Sequence, residues 1–149
     1  MDDPQSGMSL LHWASKCGHA TVVKTLILSV MADQRAAFID LQDAGGWTAL
    51  HYACSADSKC SAIVLMYYGA NADIRNDKGL SALLISLQLR HLFFTNLLLP
   101  FVKDVAGIDE KGKSPLHHAC EQGLMSVARS LMDRGASVNL HDEQLRSPL

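Results

Sequence analysis

One short motif returns along the chain at an almost constant interval. Ser-Leu-Leu-His at 9–12 recurs as Thr-Ala-Leu-His at 48–51, Ser-Ala-Leu-Leu at 81–84, Ser-Pro-Leu-His at 114–117 and Ser-Pro-Leu at 147–149. The starts at 9, 48, 81, 114 and 147 are separated by 39, 33, 33 and 33 residues. Such a period indicates one structural unit used repeatedly, each copy burying its apolar face against the next. A chain of this kind is built to present an extended surface.

Each copy of the motif is typical of the start of a helix. The side-chain hydroxyl of Thr48, Ser81 or Ser114 can accept a hydrogen bond from the first helical turn. Pro115 suits that turn, because its missing N–H leaves no helical bond unmade. We therefore expect a short inner helix to begin at each motif.

A second, more apolar helix is expected in each copy, and glycine marks its end. Gly69 and Gly135 supply the backbone freedom that helix termination requires. Loops that project from one edge are then expected at 43–46, 76–79 and 109–112. The pattern predicts an all-α protein of paired helices.

The motif extends into a longer pattern that is known from one family. Residues 46–54 and 112–120 share Gly-x-Thr/Ser-x-Leu-His-x-Ala-Cys, and 7–15 carry a related version. Gly-His at 18–19 and Tyr-Gly-Ala-Asn-Ala-Asp at 68–73 continue it. This sequence resembles the ankyrin repeat, over nearly its whole length. The resemblance implies a solenoid of stacked helix-turn-helix units with projecting hairpin loops.

We expect a single ankyrin-repeat array, with the copies set by the period. The expected copies are repeat 1 at about 4–42 with an insertion in 29–40, repeat 2 at 43–75, repeat 3 at 76–108, repeat 4 at 109–141 and a truncated repeat 5 at 142–149.

Three copies depart from the pattern. Six extra residues lie between 28 and 41, which predicts an extended second helix or a longer surface loop, or alternatively an added contact element. In the third copy Leu84 replaces the histidine, and Pro100 is expected to end the second helix early. The fifth copy stops at Leu149 before a helix can form, so the chain resembles a fragment of something longer.

Composition excludes several classes of partner. A net charge of −2 without a basic run argues against nucleic acid and against an anionic membrane surface. The apolar stretch 83–102 includes Gln88, Arg90 and Pro100, so we interpret it as a buried helix and expect no direct membrane insertion. Residues 1–7 lack the pattern of a signal peptide. The four cysteines are then expected to be free thiols, in the cytoplasm or the nucleus.

Histidine and cysteine lie three residues apart at His51 and Cys54 and again at His117 and Cys120. This spacing could in principle bind zinc. We favour a structural interpretation, in which each imidazole bonds its own turn and braces the neighbouring hairpin, because the pairs recur with the repeat. Catalysis needs one assembled site rather than copies. We therefore expect no catalytic residue, metal, cofactor or small-molecule substrate.

The family resemblance implies binding of a protein partner through the hairpin tips and the concave face of the inner helices. The matching tip positions are Ala44, Gly45, Trp47, Asp77, Lys78, Leu80, Glu110, Lys111 and Lys113. The matching concave positions are Lys16, Ser55, Ala56, Gln88, Leu89, Glu121 and Gln122.

Leu80 and Leu89 are apolar where exposure is expected, which predicts a partner centred on the third copy with a charged rim. The alternative is that Leu80 packs into the altered third copy or is an isolated exposed side chain. Asn139 occupies a position similar to ankyrin asparagines that are hydroxylated by the hydroxylase acting on hypoxia-inducible factor. It is equally a hydrogen-bonding loop residue.

Two functional hypotheses follow. The first is an interaction module, a scaffold or adaptor. The alternative is the recognition domain of a larger enzyme such as a palmitoyltransferase, kinase or ubiquitin ligase, or a chaperone of proteasome assembly.

Overall fold

Paired helices follow one another along the whole described chain. The computed structural model describes residues 6–148, and within them it contains nine helices and no strand. The all-α prediction is confirmed. The helices are α1 Leu10–Lys16, α2 Ala20–Ser29, α3 Arg35–Ile39, α4 Ala49–Ser55, α5 Lys59–Tyr67, α6 Ala82–Gln88, α7 Leu92–Leu98, α8 Pro115–Glu121 and α9 Met125–Asp133.

The helices form two stacked rows. The inner helices α1, α4, α6 and α8 pack on one another in chain order, and the outer helices α2, α5 and α7 do the same. The motif leucines Leu11, Leu50, Leu83 and Leu116 are all buried between successive units. The apolar core therefore runs the length of the array rather than collecting at one centre.

Hydroxyl caps start the inner helices, as the motif predicts. Thr48 Oγ1 accepts from the His51 N–H, and the Thr48 N–H donates to His51 Nδ1 at 3.0 Å. Because Nδ1 accepts, the hydrogen is on Nε2, which donates to the Leu80 carbonyl at 3.0 Å. Ser9 and Ser114 form the same reciprocal cap. Each histidine thus joins its own turn to the next hairpin.

The third copy keeps only half of this cap. The Ser81 hydroxyl accepts from the Leu84 N–H, but a leucine side chain cannot return the bond. Its outer helix α7 ends at Leu98, shortly before Pro100. The stretch 83–102 therefore forms two short helices, where the sequence suggested one buried helix.

The six extra residues of the first copy form neither an extended second helix nor a structureless loop. A short separate helix, α3, follows α2 after a turn. Arg35 Nε donates to the Ile27 carbonyl at 3.2 Å, and Arg35 Nη2 donates to the Val30 carbonyl at 3.4 Å. Ile39 is buried against the core. This helix thus covers the C-terminal end of α2, whose last carbonyls otherwise lack partners.

The outer helix α5 ends as its glycine predicts. Gly69 has φ +89°, and the Ala70 N–H donates to the Leu65 carbonyl at 3.0 Å while the Gly69 N–H donates to the Met66 carbonyl. This pair of bonds satisfies carbonyls at the helix end. In the part of the chain that the structure describes, every helix is too short or too polar to cross a membrane.

Candidate functional site

The hairpin loops are held in one conformation by an acidic or amide side chain. Asp43 Oδ1 accepts from the N–H groups of Gly45 and Trp47, both at 2.9 Å. A side-chain oxygen that binds the backbone two residues ahead fixes a tight turn. The equivalent side chains, with the same two bonds, are those of Asn76, Asp109 and Asp142.

Glycine is required where each loop approaches the next. Gly46 has φ +75°, and a Cβ there would lie 2.8 Å from the Asp77 nitrogen. The Asp77 N–H in turn donates to the Gly45 carbonyl at 3.0 Å. Successive tips are therefore joined by backbone hydrogen bonds, and the row of tips is a rigid platform.

Most predicted tip residues lie at the surface of this platform. Trp47 and Lys113 are half-buried. The fully exposed tip residues are Ala44, Gly45, Asp77, Lys78, Glu110 and Lys111.

Leu80 is the exception. Its exposed fraction is 9%, its N–H donates to Asn76 Oδ1, and its carbonyl accepts from His51. The prediction that Leu80 is a solvent-exposed centre of the binding surface is wrong, because these two bonds turn its side chain into the stack. Leu89, the second predicted apolar contact, is 46% exposed.

The third and fourth copies enclose a polar cleft of about 350 Å³. Residues from the tips and from the inner helices α6 and α8 line it. The residues lining the polar cleft are Lys78, Leu80, Gln88, Asp109, Glu110, Lys111, Lys113 and His118. The structure therefore brings together six of the residues selected from the sequence and adds Asp109 and His118.

Asp109 organises the floor of the polar cleft. Its Oδ2 accepts from Gln88 Nε2 at 3.0 Å and from His118 Nε2 at 2.9 Å. Burial raises the pKa of Asp109, but the hydrogen bonds from Lys113, His118, Gln88 and Lys111 outweigh it and leave this pKa below its ordinary value. The cleft floor thus carries a fixed negative charge.

Ion pairs set the rim of the polar cleft. Lys113 Nζ lies 2.6 Å from Glu121 Oε1, and the Lys113 ammonium lowers the pKa of Glu121. Lys78 and Glu110 pair more loosely, at 3.4 Å across adjacent tips. Exposed pairs of this kind contribute little stability. Their effect is to orient the charged side chains toward solvent.

An aromatic cluster lies on the same side of the first two copies. Lys16 Nζ lies 5.3 Å from the Trp13 ring centroid and 5.8 Å from that of Tyr52. Tyr52 also packs on Trp47 at 5.0 Å and donates a hydrogen bond to Asp43. We name Trp13, Lys16, Trp47 and Tyr52 the aromatic cluster.

The sequence analysis did not select Trp13, Tyr52 or His118 for binding. One signal could have found them: all three follow the motif histidine or its equivalent directly, at 12, 51 and 117. The repeat therefore places them on one face of the inner helices. Large aromatic side chains at such a face are typical of interaction hot spots.

The remaining predicted residues lie beside these two surfaces or away from them. Glu121 and Ala56 are exposed, Ser55 is half-buried, and Gln122 Nε2 donates to the Leu87 carbonyl. Asn139 is exposed, in the loop after α9.

The histidine and cysteine pairs do not form a reactive site. Burial lowers the pKa of His51 to about 4 and raises that of the Cys54 thiol above its ordinary value. Both His51 nitrogens are bonded to protein atoms, so neither is available to a metal. Within residues 6–148, no three side chains of histidine, cysteine, aspartate or glutamate are grouped as metal ligands.

Comparison with known proteins agrees with this architecture. The family described as ankyrin repeats, in three copies, matches residues 1–76 and 57–142. The chain belongs to the ankyrin repeat family. Ankyrin repeats are protein-interaction modules and are typically not catalytic.

Two relatives illustrate the similarity. A putative ankyrin repeat protein of Acanthamoeba polyphaga mimivirus is 25% identical over 139 residues, or 93% of this chain. Neurogenic locus notch homolog protein 1 of Homo sapiens is 27% identical over 146 residues, or 97% of this chain. The chain spans 18% of the length of the viral protein and 6% of the length of the human one.

Proposed function

We propose that this ankyrin array is a scaffold or adaptor that binds a partner protein across the aromatic cluster and the polar cleft. The observation that carries the proposal is that both surfaces lie on the inner helices and hairpin tips, which backbone hydrogen bonds hold rigid. A rigid surface binds without a large ordering cost.

The aromatic cluster supplies the apolar part of the proposed contact. Trp47 and Trp13 are half-buried, so each keeps a face available to a partner. Lys16 adds a cation held against two rings. Tryptophan, tyrosine and flanking cations dominate the energetics of many interfaces. We therefore place the strongest contacts at the first two copies, rather than at the third.

The polar cleft supplies selectivity. Its lysines and carboxylates present both signs of charge within one concave site. Charged groups of this kind discriminate between partners more than they add affinity, since a like charge placed opposite them is costly. A partner is therefore expected to offer matching polar groups at the third and fourth copies.

The cytoplasm or the nucleus is the compartment that we propose, on the basis of the four free thiols. Hydroxylation of Asn139 is proposed only as a modification, supported by the exposure of its side chain. Service to a larger enzyme or in proteasome assembly stays a prediction.

Matched charge reversals test the proposal. Lys16→Glu lies in the aromatic cluster, Lys111→Glu lies at the polar cleft, and the control Lys24→Glu makes the same charge change on the exposed side of α2. Tagged proteins would be used to capture partners from cell lysate, with quantitative mass spectrometry. We expect both test variants to lose at least about tenfold of a captured protein that Lys24→Glu retains, a loss worth about 1.4 kcal/mol.

Melting temperatures of the three variants should agree, so that a loss of capture reports binding and not unfolding. Equal capture by all of them would refute the proposed surface.

A further inference from the structure

The first helix pair exposes an apolar face at the end of the array. Leu10 is 74% exposed and Val22 is 46% exposed, although both lie on helices. A shallow groove of about 250 Å³ separates α1 from α2 there. Its lining is almost entirely apolar. We name this surface the stacking face, and its residues are Leu10, Trp13, Ala14, Cys17, His19, Val22 and Leu26.

The same positions are buried in every later copy. Leu10, Val22 and Leu26 correspond by the period to three positions in each following helix pair, and all of those side chains are buried. The equivalents are Ala49, Ser61 and Leu65 in the second copy, Ala82, Phe94 and Leu98 in the third, and Pro115, Val127 and Leu131 in the fourth.

The preceding helix pair covers these positions. Helix α1 packs on α4, and α2 packs on α5, so the second copy has its equivalent face sealed by the first. The contact is repeated where α4 packs on α6 and α6 on α8. The stacking face of α1 and α2 therefore continues a series of interfaces that the molecule itself establishes.

We propose that the stacking face binds one further ankyrin-type helix pair, packed on α1 and α2 as these pack on α4 and α5. This interaction is separate from the partner site proposed above, which lies on the inner helices and tips. The apolar area of Leu10 and Val22 would then leave water, which is favourable by the same hydrophobic effect that holds the stack.

A second copy of this chain fits the stacking face less well. Its own last helix pair would have to supply the contact, but the hairpin at 142–146 already occupies the next position along that stack. There the Glu143 N–H donates to the Lys111 carbonyl, as the Ala44 N–H donates to the Ser6 carbonyl at the other end. The hairpin at 142–146 and the loop that includes Ser6 would compete for one place. A separate helix pair has no such conflict.

A fusion tests the proposal directly. The probe is a duplicate of residues 43–75, joined ahead of residue 4 so that the period continues, with the rest of the chain intact. We expect one cooperative unfolding transition and a melting temperature higher by roughly 5 °C or more than that of the parent. Amide exchange in α1 should also slow.

The matched control carries Leu10→Glu and Val22→Glu in both the fusion and the parent. These changes should leave the parent's melting temperature nearly unchanged, because both side chains are exposed, and should abolish the gain in the fusion. A fused pair that melts separately, or a fusion no more stable than its parent, would overturn the proposal. So would light scattering that shows the parent to be a dimer that the two substitutions dissociate.

Discussion

Acidification should weaken the fold through one buried imidazole. Burial lowers the pKa of His51 from an ordinary value near 6.5 to about 4, while the hydrogen bond to the Leu80 carbonyl offsets part of that effect. The unfolded chain therefore binds more protons at this residue than the folded chain does between these two values. Stability must fall as the pH falls through that window and must level off below it.

The size of the effect follows from the two pKa values. Linkage between about 6.5 in the unfolded chain and about 4 in the folded chain gives a loss of about 2 kcal/mol between pH 7 and pH 5. That is a substantial share of the stability of a domain this small. Most of the loss is complete before carboxylates with depressed pKa values, such as Asp109, begin to titrate.

Urea unfolding followed by circular dichroism at a series of pH values measures this loss. The matched variant is His51→Gln, which removes the titrating ring. At pH 7 it should be less stable by about 1–3 kcal/mol, since it leaves buried partners unsatisfied. Its stability should then fall less steeply with acid than that of the parent. Parallel pH profiles for the two proteins would refute the reasoning.

Further changes test local features. Arg90 has φ +59° where the first and fourth copies have glycine, so Arg90→Gly should raise stability by about 1 kcal/mol in urea unfolding, and Asp57→Gly less, because aspartate tolerates this conformation. Leu80→Glu should cost on the order of 3 kcal/mol, because it buries a charge, whereas Leu89→Glu should leave the melting temperature unchanged. On co-expression with the hydroxylase, a peptide containing Asn139 should gain the mass of one oxygen atom, and an unchanged mass would count against that modification.

The periodic features of the fold were predictable from sequence because they depend on local chemistry. The motif hydroxyls at Thr48 and Ser114 start helices, and Gly69 ends one, through bonds within a few residues. The histidine contact with the next hairpin could also be predicted, since the repeat supplies its partner at a fixed separation.

Other features depend on how the copies pack. Leu80 is apolar at a hairpin position, and only the bonds from Asn76 and His51 turn its side chain inward. Trp13 and Tyr52 are 39 residues apart in sequence and meet only because α1 stacks on α4. The helix α3 follows from the fit of Arg35 to the end of α2, which no periodic pattern indicates.

The partner surface can be tested most directly by hydrogen–deuterium exchange of the array alone and bound to a captured partner. We expect slower exchange in the hairpin tips and inner helices, at 44–56, 77–89 and 110–122, and unchanged exchange in the outer helices α2 and α9. Protection confined to the outer helices, with the tips and inner helices unaffected, would contradict the central claim that this array binds through its aromatic cluster and polar cleft.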